Sequence, residues 1–180
     1  MIESFFLLFL IFVQLLLIGV IIIMASMAWQ SIFGVPWVRT PRRLTKEMLS
    51  FAGLKKGQCV VDFGSGDGSI VIDAARDFGA SGIGIEARRD LTLVAKLRAK
   101  YFGVSDKTEF VSGNFFSMDL PKADIIAVYL FPEVNVKLEP LLVKTYPSGT
   151  PIISRDFSFP NLPLKANKQF EKSTFFLYYI

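Results

Sequence analysis

Asp62, Gly64, Gly66 and Gly68 stand at alternate positions in the stretch VVDFGSGDGSI, residues 60–70. Glycine lets a backbone take positive φ and approach a ligand closely. A helix that begins just after such a turn points free N–H groups and its positive dipole end at an anion, whether phosphate or carboxylate. Spacing narrows the ligand. A dinucleotide fingerprint needs glycine at its first, third and sixth positions, and counting from Gly64 the sixth is Ser69. A P-loop needs Gly-Lys-Ser/Thr, and the turn has no lysine. Asp62, just ahead of the glycines, repels a phosphate and attracts an ammonium.

Two further residues extend the pattern. Glu86 closes GIGIEA, where a carboxylate can accept both hydroxyls of a ribose. Asn114 follows the third predicted strand, where an amide oxygen can take the N6 hydrogens of an adenine. A ligand with adenine, ribose and an amino-acid tail is S-adenosylmethionine. The expected cofactor set is Asp62, Gly64, Ser65, Gly66, Asp67, Gly68, Glu86, Asn114 and Phe115. Each member alone has a plain structural reading: a turn, a solvated strand end, an ordinary Asn turn residue. Asp67 either touches the methionine end or stabilises the turn. Their order on successive strands favours the cofactor.

The elements that must position these residues alternate along the chain. LTKEMLSFAGL (44–54) has helical spacing, with Thr40 or Thr45 as caps. QCVVDFG reads as a buried strand and SIVIDAARDFGA as a helix closed by Gly79. SGIGIEA is a second strand, and RDLTLVAKLRAKYFG (89–103) a helix. TEFVSGN and ADIIAVYLF are strands three and four; PEVNVKLEPLLVKTY (132–146) is a helix that Pro140 should kink or split. TPIISRDFSF is strand five, and LKANKQF with STFFLYYI a closing hairpin. This predicts an α/β fold, a doubly wound, mostly parallel seven-stranded sheet. The linker around PNLP has no room for a helix, so one sheet face should be less covered near the end of the chain.

Composition prunes the chemistry. Among 180 residues there is no histidine and one cysteine, Cys59. This excludes an internal disulfide, a zinc site of the usual kind and a His-based triad; no metal is expected. The formal net charge is +4, and no basic stripe with interleaved aromatics suggests nucleic acid. Residues 5–28 contain no charge, and as a helix they rise about 36 Å, more than a hydrocarbon core of about 30 Å. Arg39, Arg42, Arg43 and Lys46 follow, and Trp29 and Trp37 suit the headgroup level. The expectation is a transmembrane anchor over 1–28, touching the bilayer through 5–28, rather than a signal peptide. A juxtamembrane linker then covers 29–43, and the catalytic domain 44–180. The protein is then single-pass, with its N-terminus outside and its catalytic domain on the cytoplasmic side, or the matrix side if mitochondrial.

VVDFGSGDGSIVIDAAR with GIGIEA resembles the first motif and following acidic position of the seven-strand, class I methyltransferases. PWVRTPRR, YLFPEVNVKLEP and SRDFSFPNLP narrow the likeness to a membrane-associated protein-lysine methyltransferase family, which includes the enzymes acting on the adenine nucleotide translocase and on the ATP synthase c-subunit. Asn114 stands where many relatives carry Asp, and ARRD follows Glu86 in place of the more usual Asn/Asp-Pro. The resemblance implies methyl transfer to a lysine of a protein, and a membrane-embedded one. It places the accepting nitrogen beside YLFPE (129–133), with Tyr129, Pro132 and Glu133 as candidate catalytic residues. Tyr129 and Phe131 wall the slot, and Glu133 pairs with the ammonium or caps the next helix. RDFSFP (155–160) forms another wall, or Arg155 salt-bridges at the surface. Two rival readings stand beside it: an amine methyltransferase for a lipid headgroup or small molecule, and a non-catalytic cofactor-binding membrane module.

Overall fold

The computed structural model describes residues 2–33 and 38–180, and within the first helix it describes side chains for residues 7–22 and Met24. The chain divides into two units, Met1–Val38 and Arg39–Ile180.

The first unit is the helix α1 (Ile2–Phe33). Among the described residues no helix is long and apolar enough to cross a membrane. This overturns the transmembrane anchor over 1–28, its bilayer contact through 5–28 and the single-pass topology built on them. The Trp29 side chain and Trp37 lie outside the described residues. The basic cluster also has another use. Arg39 pairs with Asp67 at 3.4 Å, Arg42 with Asp77, and Arg43 with Glu171 at 2.8 Å. Three of the four cations counted as a membrane-facing flank hold the second unit together instead.

That unit carries α2 (Arg42–Phe51), β1 (Cys59–Phe63), α3 (Ser69–Phe78), β2 (Ser81–Glu86), α4 (Arg89–Tyr101), β3 (Thr108–Ser112), β4 (Ile125–Val128), α5 (Pro132–Thr145), β5 (Pro151–Arg155), β6 (Leu164–Phe170) and β7 (Ser173–Tyr179). The strands form one sheet in the order β3-β2-β1-β4-β5-β7-β6. β1 to β5 run parallel, while β7 is antiparallel to both β5 and β6. The seven-stranded, mostly parallel sheet stands as expected; the hairpin places its second strand inward and leaves β6 at the edge.

Alternation along β1 sorts the core. Val60 faces α2 and α3, packing with Met48, Leu49, Ile70 and Phe175. Val61 and Phe63 face the other way, against Leu138 and Leu142 of α5 and Tyr178 of β7. Met48 and Leu49 are fully buried, each worth about 2 kcal/mol of transfer free energy. α2 packs on β5, β6 and β7 and adds cover near the end of the chain, where the linker between β5 and β6 holds no helix.

Two local expectations change. Neither threonine caps α2: Pro41 is its N-cap, the Thr45 hydroxyl donates to the Pro41 carbonyl at 3.4 Å, and Thr40 faces Arg155. Pro140 does not split α5, which runs unbroken. Pro140 lacks the N–H that would bond the Val136 carbonyl, so the helix bridges one missing bond there.

Candidate functional site at the carboxyl ends of the strands

β1 lies between β2 and β4, so the turn that follows it emerges at the centre of the sheet. The amides of Gly64 and Ser65 both donate to the Ile85 carbonyl, at 2.8 and 3.1 Å, which ties the turn to the end of β2. The Gly68 amide closes it on the Ser65 carbonyl at 2.8 Å. Gly64 and Gly68 have φ of 77° and 75°. A Cβ at Gly64 would sit 2.6 Å from Leu130, and one at Gly68 would sit 2.5 Å from the Phe110 ring, so both positions demand glycine.

Glu86 is held from both sides. One carboxylate oxygen accepts the Gly66 amide and the other the Arg88 amide, each at 2.9 Å. Carboxylate oxygens have further lone pairs, so hydroxyl donors can still be accepted there. Asp62 is buried, and burial together with the nearby Glu86 and Asp67 raises its pKa to about 8.

Asp67 serves the turn itself. It accepts the Ser69 hydroxyl at 2.6 Å and pairs with Arg98 and Arg39. The Arg98 guanidinium also donates to the Asp67 carbonyl at 2.7 Å. Of its two sequence readings, turn stabilisation has the contacts. The Asn114 side-chain oxygen accepts the Phe116 amide at 3.0 Å and caps the 3-10 turn Phe115–Ser117. The atom assigned to adenine therefore already has a backbone partner. Phe115 meets Phe63 edge-on at 5.4 Å.

The segment after β4 leaves the sheet beside the glycine turn. Phe63 and Val128 are register partners, so Gly64 and Tyr129 are the next residues out, and Leu130 packs over Gly64. The Tyr129 ring lies nearly parallel to Phe157, with centroids 6.1 Å apart, and Phe131 lies 5.5 Å from Phe157. Pro132 opens α5, with Glu133 exposed in its first turn.

Sequence reasoning missed Asn135 and left Arg155 between two readings. Asn135 is fully buried; its amide donates to the carbonyls of Phe157 and Ser158 at 3.3 and 3.4 Å, and its oxygen has no partner among the described residues. A signal for it existed. Asn135, Leu138, Glu139 and Leu142 fall on one buried stripe of α5 at helical spacing, so a polar residue on that stripe must be bonded inside. Arg155, read as part of a slot wall or as a surface salt bridge, is only 8% exposed, with Thr40, Ser173, Asp156 and the Tyr129 ring against its side chain.

These residues fit the proposed cofactor. Glu86 keeps lone pairs for ribose hydroxyls beyond its two amide bonds, and the buried Asp62 carboxyl suits a cationic group. Known proteins agree. The family described as the ANTKMT methyltransferase domain matches residues 62–166. A protein-lysine N-methyltransferase of Saccharolobus islandicus is 32% identical over 81% of this chain and 94% of that protein. An adenine nucleotide translocase lysine N-methyltransferase of Mus musculus is 30% identical over 70% of this chain, which spans about half (55%) of that protein's length. A Salinibacter ruber structure described as an RNA methyltransferase, in complex with S-adenosyl-L-homocysteine, superposes with a TM-score of 0.77 at 39% identity. It covers 79% of this chain and 94% of that one.

Fold and site together define an S-adenosylmethionine-dependent methyltransferase of the seven-strand class. S-adenosylmethionine is its cofactor. The chain belongs to the ANTKMT methyltransferase domain family of protein-lysine N-methyltransferases.

Proposed function

We propose that this enzyme transfers a methyl group to a lysine side chain of a membrane-embedded protein, accepted in the slot beside Tyr129. The observation that carries the reading is the shared exit of the two segments: Leu130 of the acceptor side rests on Gly64 of the cofactor turn. Relatives named for the adenine nucleotide translocase and for ATP synthase support that class of acceptor.

The bound cofactor supplies an electrophilic methyl on a sulfonium. The chain's own task is to hold, exclude water and keep the amine neutral. Asp62, Gly64, Ser65, Gly66, Asp67 and Gly68 form the cradle, with Glu86 for the ribose, and Asn114 and Phe115 on the adenine side. Alignment of amine and methyl at about 3–3.5 Å supplies much of the rate. Free lysine titrates near 10.4, and an aromatic, desolvated slot lowers that value without a strong base. Tyr129 walls this slot, Pro132 fixes the backbone at its rim, and Glu133 draws the incoming ammonium. Arg39 and Thr40, just ahead of the domain at 44–180, reach Asp67 and Arg155 and tie the linker to it.

The test uses the full-length protein, membranes from its own source and methyl-labelled S-adenosylmethionine, with protein, lipid and RNA separated afterwards. Label in methylated lysine of a membrane-protein fraction is expected. Label in lipid or RNA overturns the acceptor class, and no label in any fraction overturns the enzymatic reading.

A further inference from the structure

Arg155 ends β5, yet its side chain meets residues from three other parts of the chain. Its Nε donates to the Ser173 hydroxyl at 3.1 Å and lies 3.1 Å from an Asp156 carboxylate oxygen. One terminal nitrogen donates to the Thr40 hydroxyl at 3.2 Å. Its guanidinium carbon lies 4.2 Å from the centroid of the Tyr129 ring. Asp156 is itself held in place. It takes the left-handed region, φ 61°, costly for a residue with a Cβ, and its carboxylate accepts the Thr174 amide at 2.9 Å. A guanidinium is planar and stays charged, so bonds along its edge fix the direction of its face.

We propose that Arg155 is a positioning residue of the methyl-transfer step: fixed by Thr40, Ser173 and Asp156, it sets the tilt of Tyr129 and thereby one wall of the acceptor slot. The sequence placed RDFSFP (155–160) at a slot wall but could not show what fixes Arg155, because Thr40 and Ser173 lie far from it along the chain. Its energetic logic is that a cation on an aromatic face is attracted to the ring, and more strongly once water is removed, as it is at this buried residue. Tyr129 is only partly buried, so without that face the ring has one fixed neighbouring element fewer and can swing away from Phe157. The wall is then present but loose, and a wall that is about 1 Å loose costs rate more than binding. This inference rests on the acceptor slot lying beside Tyr129.

A double-mutant cycle on the full chain tests it: wild type, Tyr129→Leu, Arg155→Met and the double variant, each measured for kcat, acceptor KM and cofactor Kd. Arg155→Met is expected to lower kcat about tenfold or more while cofactor Kd stays within about twofold. In the Tyr129→Leu background the same substitution is expected to change kcat by less than about twofold, because its effect passes through that ring. Equal losses in both backgrounds overturn the positioning role. So does a cofactor Kd that weakens in step with kcat, which marks a general structural role. If Tyr129→Leu turns over as fast as wild type, the slot itself is misplaced, and the reading beneath this inference falls with it. Should Arg155→Met not fold, Arg155→Lys takes its place in the cycle; non-additivity with Tyr129→Leu supports the proposal and additivity overturns it.

Discussion

The two halves of the site are built in opposite ways. The cofactor half is made of backbone: glycine turns, amides of Gly64, Ser65 and Gly66, and a strand end that receives them. The acceptor half is made of side chains: Tyr129, Phe131, Asn135, Arg155 and Phe157, drawn from separate elements. Backbone contacts depend on local conformation and tolerate only glycine at their tightest points. Side-chain contacts depend on packing and loosen by degrees. Damage to the first half should therefore remove binding and stability together, while damage to the second should spare binding and slow transfer.

The sharpest break is Gly68→Val. Its Cβ would lie 2.5 Å from Phe110 and 2.9 Å from Ala95 at a φ that side chains rarely adopt. Strain and overpacking together cost about 3 kcal/mol, so a lowered melting temperature and lost cofactor binding are expected from thermal unfolding and titration. Arg98→Ala follows. It leaves Asp67 buried with only the more exposed Arg39, and a stability loss of about 2 kcal/mol is expected in a denaturant titration.

Asn135→Ala probes the other half. Losing its bonds to the Phe157 and Ser158 carbonyls should reduce acceptor kcat/KM about tenfold. Cofactor Kd should move less than twofold, about 0.4 kcal/mol, as a direct binding titration would show. If cofactor affinity falls equally, the two halves are not separable.

Acidity gives a finer contrast. Asp62 is raised from an ordinary carboxylate value to about 8, so its contribution to apoenzyme stability is fully present below about pH 4 and is lost as pH rises through 8. Asp62→Asn should flatten that part of the stability profile. A cationic cofactor favours the ionised carboxylate, so wild-type affinity should rise with pH up to about 8 with release of a proton. Calorimetry in buffers of different ionisation enthalpy measures that proton, and the Asn variant should release none. The smallest effect is expected from Glu133→Gln, an exposed carboxylate at the slot's rim. A fall of about threefold in acceptor kcat/KM, with cofactor binding intact, is the expected steady-state result.

The same contrast explains what the sequence revealed. The glycine turn, Glu86 and the sheet order were legible because each follows from residues close together in the chain and from a two-residue or helical period. Asn135 and Arg155 were not, because their partners at 157–158, 40 and 173 come together only when the sheet closes. Asn114 shows a further difficulty: a side-chain oxygen with two lone pairs reads the same whether it caps a turn or awaits an adenine. The first helix failed differently. Apolar length and a basic flank suggested a membrane anchor, yet Arg39, Arg42 and Arg43 are paired with acids of the second unit, which a linear charge count cannot see.

The placement of the single cysteine has a practical consequence. Cys59 opens β1, at the far end of the strand from Asp62, and its amide is fixed by the Asp124 carboxylate at 2.7 Å. Partial burial pushes its thiol pKa up, so alkylation should be slow at neutral pH and speed up in alkaline buffer. Thiol-directed inhibitors should leave turnover intact. A fluorophore or spin label attached there would report on the underside of the sheet during catalysis without entering the reaction.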